Sequence, residues 1–308
     1  MAPSQQAVAS PAAPLGRPGP LRVWLAAIRP RTLSAGAVPV AVGSAVAAAE
    51  HGFAPGPALA ALAGALALQV GCNLANDVSD FRRGADTDER LGPARAAQRG
   101  WLSERQLVGG AALAFGLATL VGLYLTAVAG PLVVLIGLAS VAAAILYTGG
   151  PAPLGYLGLG DALVFVFFGP TATAGAAWVQ TGAVTPLALA MSVPVGVLAV
   201  AILVVNNLRD RHTDARAGKR TLAVRLGPRF ARLEYAALVA LAFVALPLSV
   251  ALAGAPRAVL LGLLALPEGA RRVRAVLRTD GAALNPELGR TARLGLLFAG
   301  LTGAGLLL

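Results

Sequence analysis

"PVGVLAVAILVVNNLRDRHTDARAGK", residues Pro194 to Lys219, changes character at its middle. Pro194 to Val205 is almost wholly apolar. Two Asn, two Asp and several cationic side chains then follow within about four turns of helix. A helix with the first composition belongs in hydrocarbon and one with the second belongs against water, so the stretch reads as a membrane span ending in a polar island.

The rest of the chain agrees. Its 308 residues are 57% hydrophobic and only 13% charged, with a mean hydropathy of +0.73. A soluble domain is typically about 25% charged. Crossing the hydrocarbon core takes about 20 apolar residues, and candidate spans lie near 32–49, 57–75, 106–128, 131–148, 159–178, 187–206, 235–254, 256–270 and 291–308. The expectation is an all-α integral membrane protein with about nine transmembrane helices, the eighth short. Aromatics are scarce at 5% and Gly numbers 37, a composition that suits close helix packing in a bundle.

The net charge of +11 could suggest nucleic acid, but the position of the charges argues otherwise. With nine spans, 24 of the 25 Lys and Arg fall on one side, Arg257 alone lying on the other. This is the positive-inside pattern. It predicts a multi-pass protein of the cell's inner (plasma) membrane, with the N-terminus and both polar islands cytoplasmic and no nucleic-acid partner. Residues 1–20 are rich in Pro, Ala and Ser and lack the basic and apolar regions of a signal peptide. They are expected to form a disordered cytoplasmic tail before a single membrane domain, 21–308. Cys72 is the only cysteine, so no intrachain disulfide forms, and at the end of a span it reads as a small packing residue.

A first polar island precedes the one already quoted. Residues 73–100, "NLANDVSDFRRGADTDERLGPARAAQRG", repeat the grammar of 206–227, "NNLRDRHTDARAGKRTLAVRLG". In each, a span ends in Asn, acids follow at helical spacing, bases interleave and Gly closes the turn. Four spans separate the islands, so both emerge on one side. The arrangement looks like a duplicated four-helix unit with a polar loop after its second helix.

Residues four apart share a helix face, which pairs Asn76 with Asp80 and Asp210 with Asp214, while Asn207 lies three before Asp210. Clustered carboxylates repel unless a cation holds them, and an oxygen donor set without His or Cys favours magnesium. Magnesium takes one or two carboxylates plus substrate phosphates, and Arg82, Arg83, Arg95, Arg209, Arg211 and Lys219 suit the same phosphate oxygens. The two islands together read as a cradle for a magnesium-bound diphosphate. The plainer reading is that loop acids and bases merely pair or face solvent; matching grammar on one side makes it the poorer account. Asp86, Asp88 and Glu89 are read as solvated. Asp77 points about 100° from Asn76, which leaves it between a supporting role and none.

These islands resemble the NDxxD and DxxxD regions of the UbiA-type intramembrane aromatic prenyltransferases. "GADTDERLGPARAAQRG", "YTGGPAPLGYLGLGD" (147–161), "AGKRTLAVRLG" (217–227) and "IRPRTLSAGAVPVAVG" (28–43) resemble the branch that prenylates 1,4-dihydroxy-2-naphthoate in menaquinone synthesis. A small departure is that Ala94 and Ala96 flank Arg95 where bulkier residues are expected. The resemblance implies helices around a central cavity with cytoplasmic cap loops. It also implies transfer of a prenyl group from polyprenyl diphosphate to dihydroxynaphthoate with loss of diphosphate and CO2, the tail passing into membrane lipid. Asn76, Asp80, Asp210 and Asp214 would hold two Mg2+ ions. Tyr147 and Thr148 would lie near the diphosphate and the allylic carbon.

Other residues keep two readings. Asp161 is a substrate contact or a helix N-terminal acid, and Tyr147 an active-site group or an interfacial tyrosine. Arg29 and Arg31 are contacts to the acceptor's carboxylate or topology signals. His212 reads as a loop residue and His51 lies on the opposite side, so no histidine base is evident. The competing functions are a prenyltransferase for another aromatic acceptor such as 4-hydroxybenzoate, a CDP-alcohol phosphotransferase, whose DGxxAR string is absent, and a small-molecule transporter. A transporter typically places ionisable groups near mid-span, whereas here the acids stand at span ends. Asp80→Ala and Asp210→Ala are each expected to abolish prenyl transfer in protein that remains folded in membranes. Near-normal turnover in both, measured by product mass, would remove the metal cradle.

Overall fold

The structure, a computed structural model, describes residues 18–85 and 90–308, with Arg31 described by its backbone alone. The expected tail, as far as residue 17, and Asp86, Asp88 and Glu89 lie outside the described residues. Every regular element among the described residues is helical. A short α1 (Pro20–Ile28) leads into α2 (Pro30–Ala49), α3 (Pro55–Arg82), α4 (Glu104–Ala129) and α5 (Leu132–Leu146). Then α6 (Gly160–Val166) runs through a π-helical segment (Phe167–Ala174) into α7 (Gly175–Thr181), followed by α8 (Pro186–Arg216) and the one-turn α9 (Leu222–Arg225). The chain closes with α10 (Gly227–Ala253), a 3-10 segment (Arg257–Ala265), α11 (Leu266–Arg278) and, after a 3-10 turn at Gly281–Leu284, α12 (Asn285–Leu306).

The count of nine spans is not met by this measure. Six helical stretches are long and apolar enough to cross a bilayer: Thr32–Ala49, Pro55–Arg82, Glu104–Ala129, Gly160–Thr181, Pro186–Arg216 and Gly227–Ala253. Each corresponds to an expected span. The other three fall short for separate reasons. At 15 residues α5 is shorter than the roughly 20 required. The eighth expected span is a nine-residue 3-10 segment followed by the arginine-rich α11. The 22 residues of α12 begin with Glu287, Arg290 and Arg293 before turning apolar.

Helix α8 is the axis of the bundle. Of its most apolar stretch 67% is buried, against 17% for α4, and α2, α10 and α12 pack around it. Val195, Leu198, Val204 and Leu208 of α8 join Phe243, Leu246, Leu294 and Phe298 in the main core. The Thr185 hydroxyl caps α8 by accepting from the Ala188 amide at 3.1 Å, and Pro186 sits in the first turn, where its missing N–H costs nothing. By contrast α4 turns Leu113, Leu117, Leu120 and Leu123 outward, an apolar stripe suited to lipid. A second core joins α1, α3 and α4 through Val23, Leu74, Val78 and Leu107 and includes Ala96 and Ala97 of the loop after α3. The small side chains around Arg95 are thus what lets that loop lie flat on α3.

Helices α2 and the π-helical segment meet at Gly43, where a Cβ would stand 2.2 Å from the Thr173 carbonyl oxygen and 2.9 Å from the Ala176 methyl. Overpacking of this kind costs about 1–3 kcal/mol. Gly43→Ala is expected to lower the thermal midpoint of the detergent-solubilised protein by several degrees, whereas Gly116→Ala on α4, with nothing within 4 Å, leaves it unchanged or raised. Equal midpoints for the two variants would show that α2 shifts freely.

Candidate active site

The first island occupies the last turns of α3. Asn76 accepts a hydrogen bond from the Thr148 hydroxyl at 2.7 Å and donates to the Cys72 sulfur at 3.4 Å. Asp80, one turn on, is only 4% exposed. Its Oδ1 accepts from the Tyr156 hydroxyl at 3.1 Å, and Arg95 lies 3.8 Å from its Oδ2. Asp77 faces the other way, as its spacing requires, and is fully buried. It accepts from the backbone amides of Ala96 and Ala97 at 3.1 and 3.4 Å. Its role is to fasten the loop that carries Arg95.

The second island occupies the last turns of α8. Asp210 accepts from Arg209 Nε at 2.7 Å. Arg209 also donates to Asn206 Oδ1 at 2.8 Å and to Asn285 Oδ1 at 3.0 Å, and is 1% exposed. Arg209 therefore departs from the expectation of a phosphate-binding cation: its guanidinium is committed to three side chains and holds Asp210 in place. Asn207, expected in the polar stripe, is buried one residue beyond the amide that does the bonding, Asn206. Asp214 has Lys219 at 3.9 Å.

Two more expected cations are turned away. Arg82 pairs with Glu104 at 2.8 Å, and Arg211 pairs with Asp280, whose carboxyl that bond holds below the usual range. Arg83 stays at the site, donating to the carbonyls of Thr148, at 3.2 Å, and Gly150. Arg29 donates to the Asn73 carbonyl at 3.3 Å from a left-handed position between α1 and α2. Asp161 stands in the first turn of α6, with its Oδ1 buried and without a hydrogen-bond partner, next to Gly160, against which the Tyr147 hydroxyl packs.

The islands come together. Asp80, Asp210 and Asp214 stand close enough for the charges of the first two to act on the third. Tyr156 lies between the islands. Its ring centroid is 5.4 Å from the Arg83 guanidinium and 5.2 Å from the Lys219 ammonium, and its carbonyl accepts from the Arg220 amide at 2.8 Å. Sequence reasoning passed over this residue, because Tyr156 sits in no acidic motif; the only signal was a tyrosine between glycines in the glycine-rich 147–161 string.

Below Asn76 opens a cavity of about 380 Å³ between α2, α3, α4, α5 and the α6–α7 run. Gln69, Asn73, Asn76 and Tyr147 give one end its polar groups, while Ala61, Leu125, Val133 and Trp178 line the other. Asn76 and Ala61 are 15 residues apart on α3, so the cavity extends about 22 Å along it. Among the described residues no three His, Cys, Asp or Glu side chains are grouped to hold an ion unaided. The donors Asn76, Asp80, Asp210 and Asp214 are all oxygens, at most two from each helix. That set fits a magnesium ion completed by phosphate and water oxygens rather than a closed protein cage.

Residues 37–287 match the model of the UbiA prenyltransferase family. The chain is 41% identical over 273 residues to the 1,4-dihydroxy-2-naphthoate octaprenyltransferase of Mycobacterium tuberculosis, covering 85% of this chain and 92% of that relative. It is 38% identical over 283 residues to the enzyme of the same name from Escherichia coli, covering 90% and 92%. Its fold is similar to a UbiA homolog from Archaeoglobus fulgidus bound to DMAPP and Mg2+, with TM-score 0.63 and 16% identity over 92% of this chain and 98% of that one. The apo UbiA homolog from Aeropyrum pernix K1 gives 0.62 and 17%, over 88% and 96%.

Removing the Asp77 carboxylate leaves two buried amides without an acceptor, a loss of about 1–3 kcal/mol each. Asp77→Ala is expected to speed tryptic cleavage after Arg95 and Arg99 about tenfold in otherwise folded protein. An unchanged cleavage rate would mean that the loop is held by other contacts.

Proposed function

Because the chain belongs to the UbiA prenyltransferase family, we propose that it transfers a polyprenyl group from polyprenyl diphosphate to 1,4-dihydroxy-2-naphthoate. The reaction releases diphosphate and CO2 and gives demethylmenaquinol. The observation that carries this reading is an apolar cavity whose polar end holds Asn76 of the first island, which Tyr156 links to the second through Asp80 and Lys219. A prenyl diphosphate has the same division along its length. The identity to two dihydroxynaphthoate octaprenyltransferases over most of both chains supports the acceptor.

Asn76, Asp80, Asp210 and Asp214 would hold the diphosphate at the islands through magnesium, and Arg83, Arg95 and Lys219 would meet its oxygens. Magnesium, when bound, offsets the charge that grows on the leaving diphosphate; two ions agree with two islands. As the allylic C–O bond breaks, its electron pair leaves with the diphosphate, and the charges of Arg83, Arg95 and Lys219 favour that step. Thr148 holds Asn76 and so fixes the end of α3 that meets the substrate. Tyr147, at the polar end of the cavity, faces the allylic carbon, and the apolar walls keep water from it. The ring carbon bearing the carboxylate forms the new C–C bond. CO2 then departs, and the electrons of its bond restore the aromatic ring. Arg29, tied to α3 at Asn73, is placed to meet the acceptor's carboxylate, and Asp161, beside the Gly160 that Tyr147 packs against, supports the same end.

The membrane placement follows the charge asymmetry. Residues 21–308 form one membrane domain in the inner membrane, with the N-terminus and both islands on the cytoplasmic side, and the tail of the product passes into lipid. Purified protein in detergent with magnesium and geranylgeranyl diphosphate is expected to convert dihydroxynaphthoate to a prenylated naphthoquinol lacking the carboxyl group, read by mass and abolished by EDTA. Product from 4-hydroxybenzoate alone would keep the prenyl transfer and overturn the acceptor.

A further inference from the structure

We propose that Tyr156 is the positioning residue that keeps the two islands in register for the diphosphate, its hydroxyl orienting Asp80 and its ring seating Arg83 and Lys219. This rests on the reading of the site as a diphosphate cradle. Tyr156 is 7% exposed, and its side chain meets Asp80, Arg83 and Lys219, so it acts on the site through other side chains.

Three contacts carry the inference, and each reaches a different part of the site. The hydroxyl bond to Asp80 Oδ1 joins the loop before α6 to α3 across 76 residues of sequence. A hydroxyl donating to a carboxylate is a charge-assisted hydrogen bond; at 3.1 Å this one is long, and it favours the Asp80 orientation that faces Tyr156.

The ring makes the second contact. Arg83 belongs to the first island and Lys219 to the second, and two cations near one another repel. The electron-rich face of an aromatic ring attracts cations within about 6 Å, and both lie inside that distance. Two ion pairs of the site are longer than hydrogen bonds, Arg95 to Asp80 at 3.8 Å and Lys219 to Asp214 at 3.9 Å. The ring holds Arg83 and Lys219 at the site without closing them onto the carboxylates that must receive metal and phosphate.

The third contact fixes the tyrosine. Its carbonyl accepts from the Arg220 amide, which ties it to the segment leaving α8. Gly158, at φ +81°, lets the loop close, and a Cβ there would stand 2.9 Å from the Arg220 carbonyl oxygen. Tyr156 is thus anchored by its backbone to the second island and by its hydroxyl to the first.

Two variants separate the functions. Tyr156→Phe keeps the ring and removes the donor; Tyr156→Leu removes both. Binding of geranylgeranyl thiolodiphosphate, an inert donor analogue, would be measured by calorimetry with magnesium, beside turnover with geranylgeranyl diphosphate and dihydroxynaphthoate. Tyr156→Phe is expected to lower kcat roughly tenfold with the donor KM within about twofold and analogue affinity within about threefold. Tyr156→Leu is expected to weaken analogue binding about tenfold as well. Wild-type kcat in the first together with wild-type affinity in the second would overturn the proposal. So would losses that merely track a lowered thermal midpoint in both. If the wild type fails with dihydroxynaphthoate, the acceptor reading falls while the binding measurement still decides the role of Tyr156.

Discussion

A guanidinium and a carboxylate adjacent on one helix, Arg209 and Asp210, are both buried at the end of the central helix, and the arrangement of the site depends on that pair. A lone charge in such surroundings is strongly disfavoured, and breaking a buried pair costs about 3–5 kcal/mol. The pair is kept by two further acceptors, Asn206 and Asn285. Asn285 in turn donates to the Leu91 carbonyl at 2.7 Å, which draws the loop after the first island toward the second. Gly92 completes the joint, since a Cβ there would fall 2.8 Å from the Arg209 guanidinium. One buried ion pair thereby ties α8, α12 and the cap loop into a single unit.

The same economy of charge governs the mouth of the cavity. Asp80, Asp210 and Asp214 each have a basic or phenolic partner: Arg95 and Tyr156 for Asp80, Arg209 for Asp210, Lys219 for Asp214. Only the Arg209 pair has short, buried geometry. The other two pairs, at 3.8 and 3.9 Å, are longer than hydrogen bonds. Directly below, the wall turns apolar within one or two helical turns of Asn76, so charge and hydrocarbon are sorted along one axis. A substrate with a diphosphate head and an isoprenoid tail is matched at both ends.

The helical bundle and the two islands were legible because their signals are local. Runs of apolar residues marked all six of the long spans, and the four-residue spacing put Asp80 and Asp210 at helix ends. Where the reading missed, a partner distant in sequence decided the outcome. Arg209, Arg211 and Arg82 looked alike as island cations. Asp210 with Asn285, Asp280 and Glu104 respectively claim them, and no spacing rule distinguishes a committed arginine from one facing substrate. Asn207 and Asn206 were one residue apart, about 100° around the helix, and only the position of Arg209 separated them. The six long spans fall short of the expected nine where length and charge compete, in the 15 residues of α5 and the arginines of α11 and α12.

The sequence by itself determined the class of the molecule, because hydropathy and helical period are sums over neighbouring residues and need no knowledge of the fold. It likewise determined that two acid-bearing helix ends emerge on one side, given an even number of crossings between them. Only the tertiary structure decided what those ends meet. Asp77 holds a loop, Arg209 serves Asp210, and Tyr156 joins Asp80 to Arg83 and Lys219, each through contacts set by how the helices pack. The physical reason is range. A carboxylate's position on its helix is fixed by residues within one turn, whereas its partner is chosen by distances of a few ångströms between segments that lie tens of residues apart.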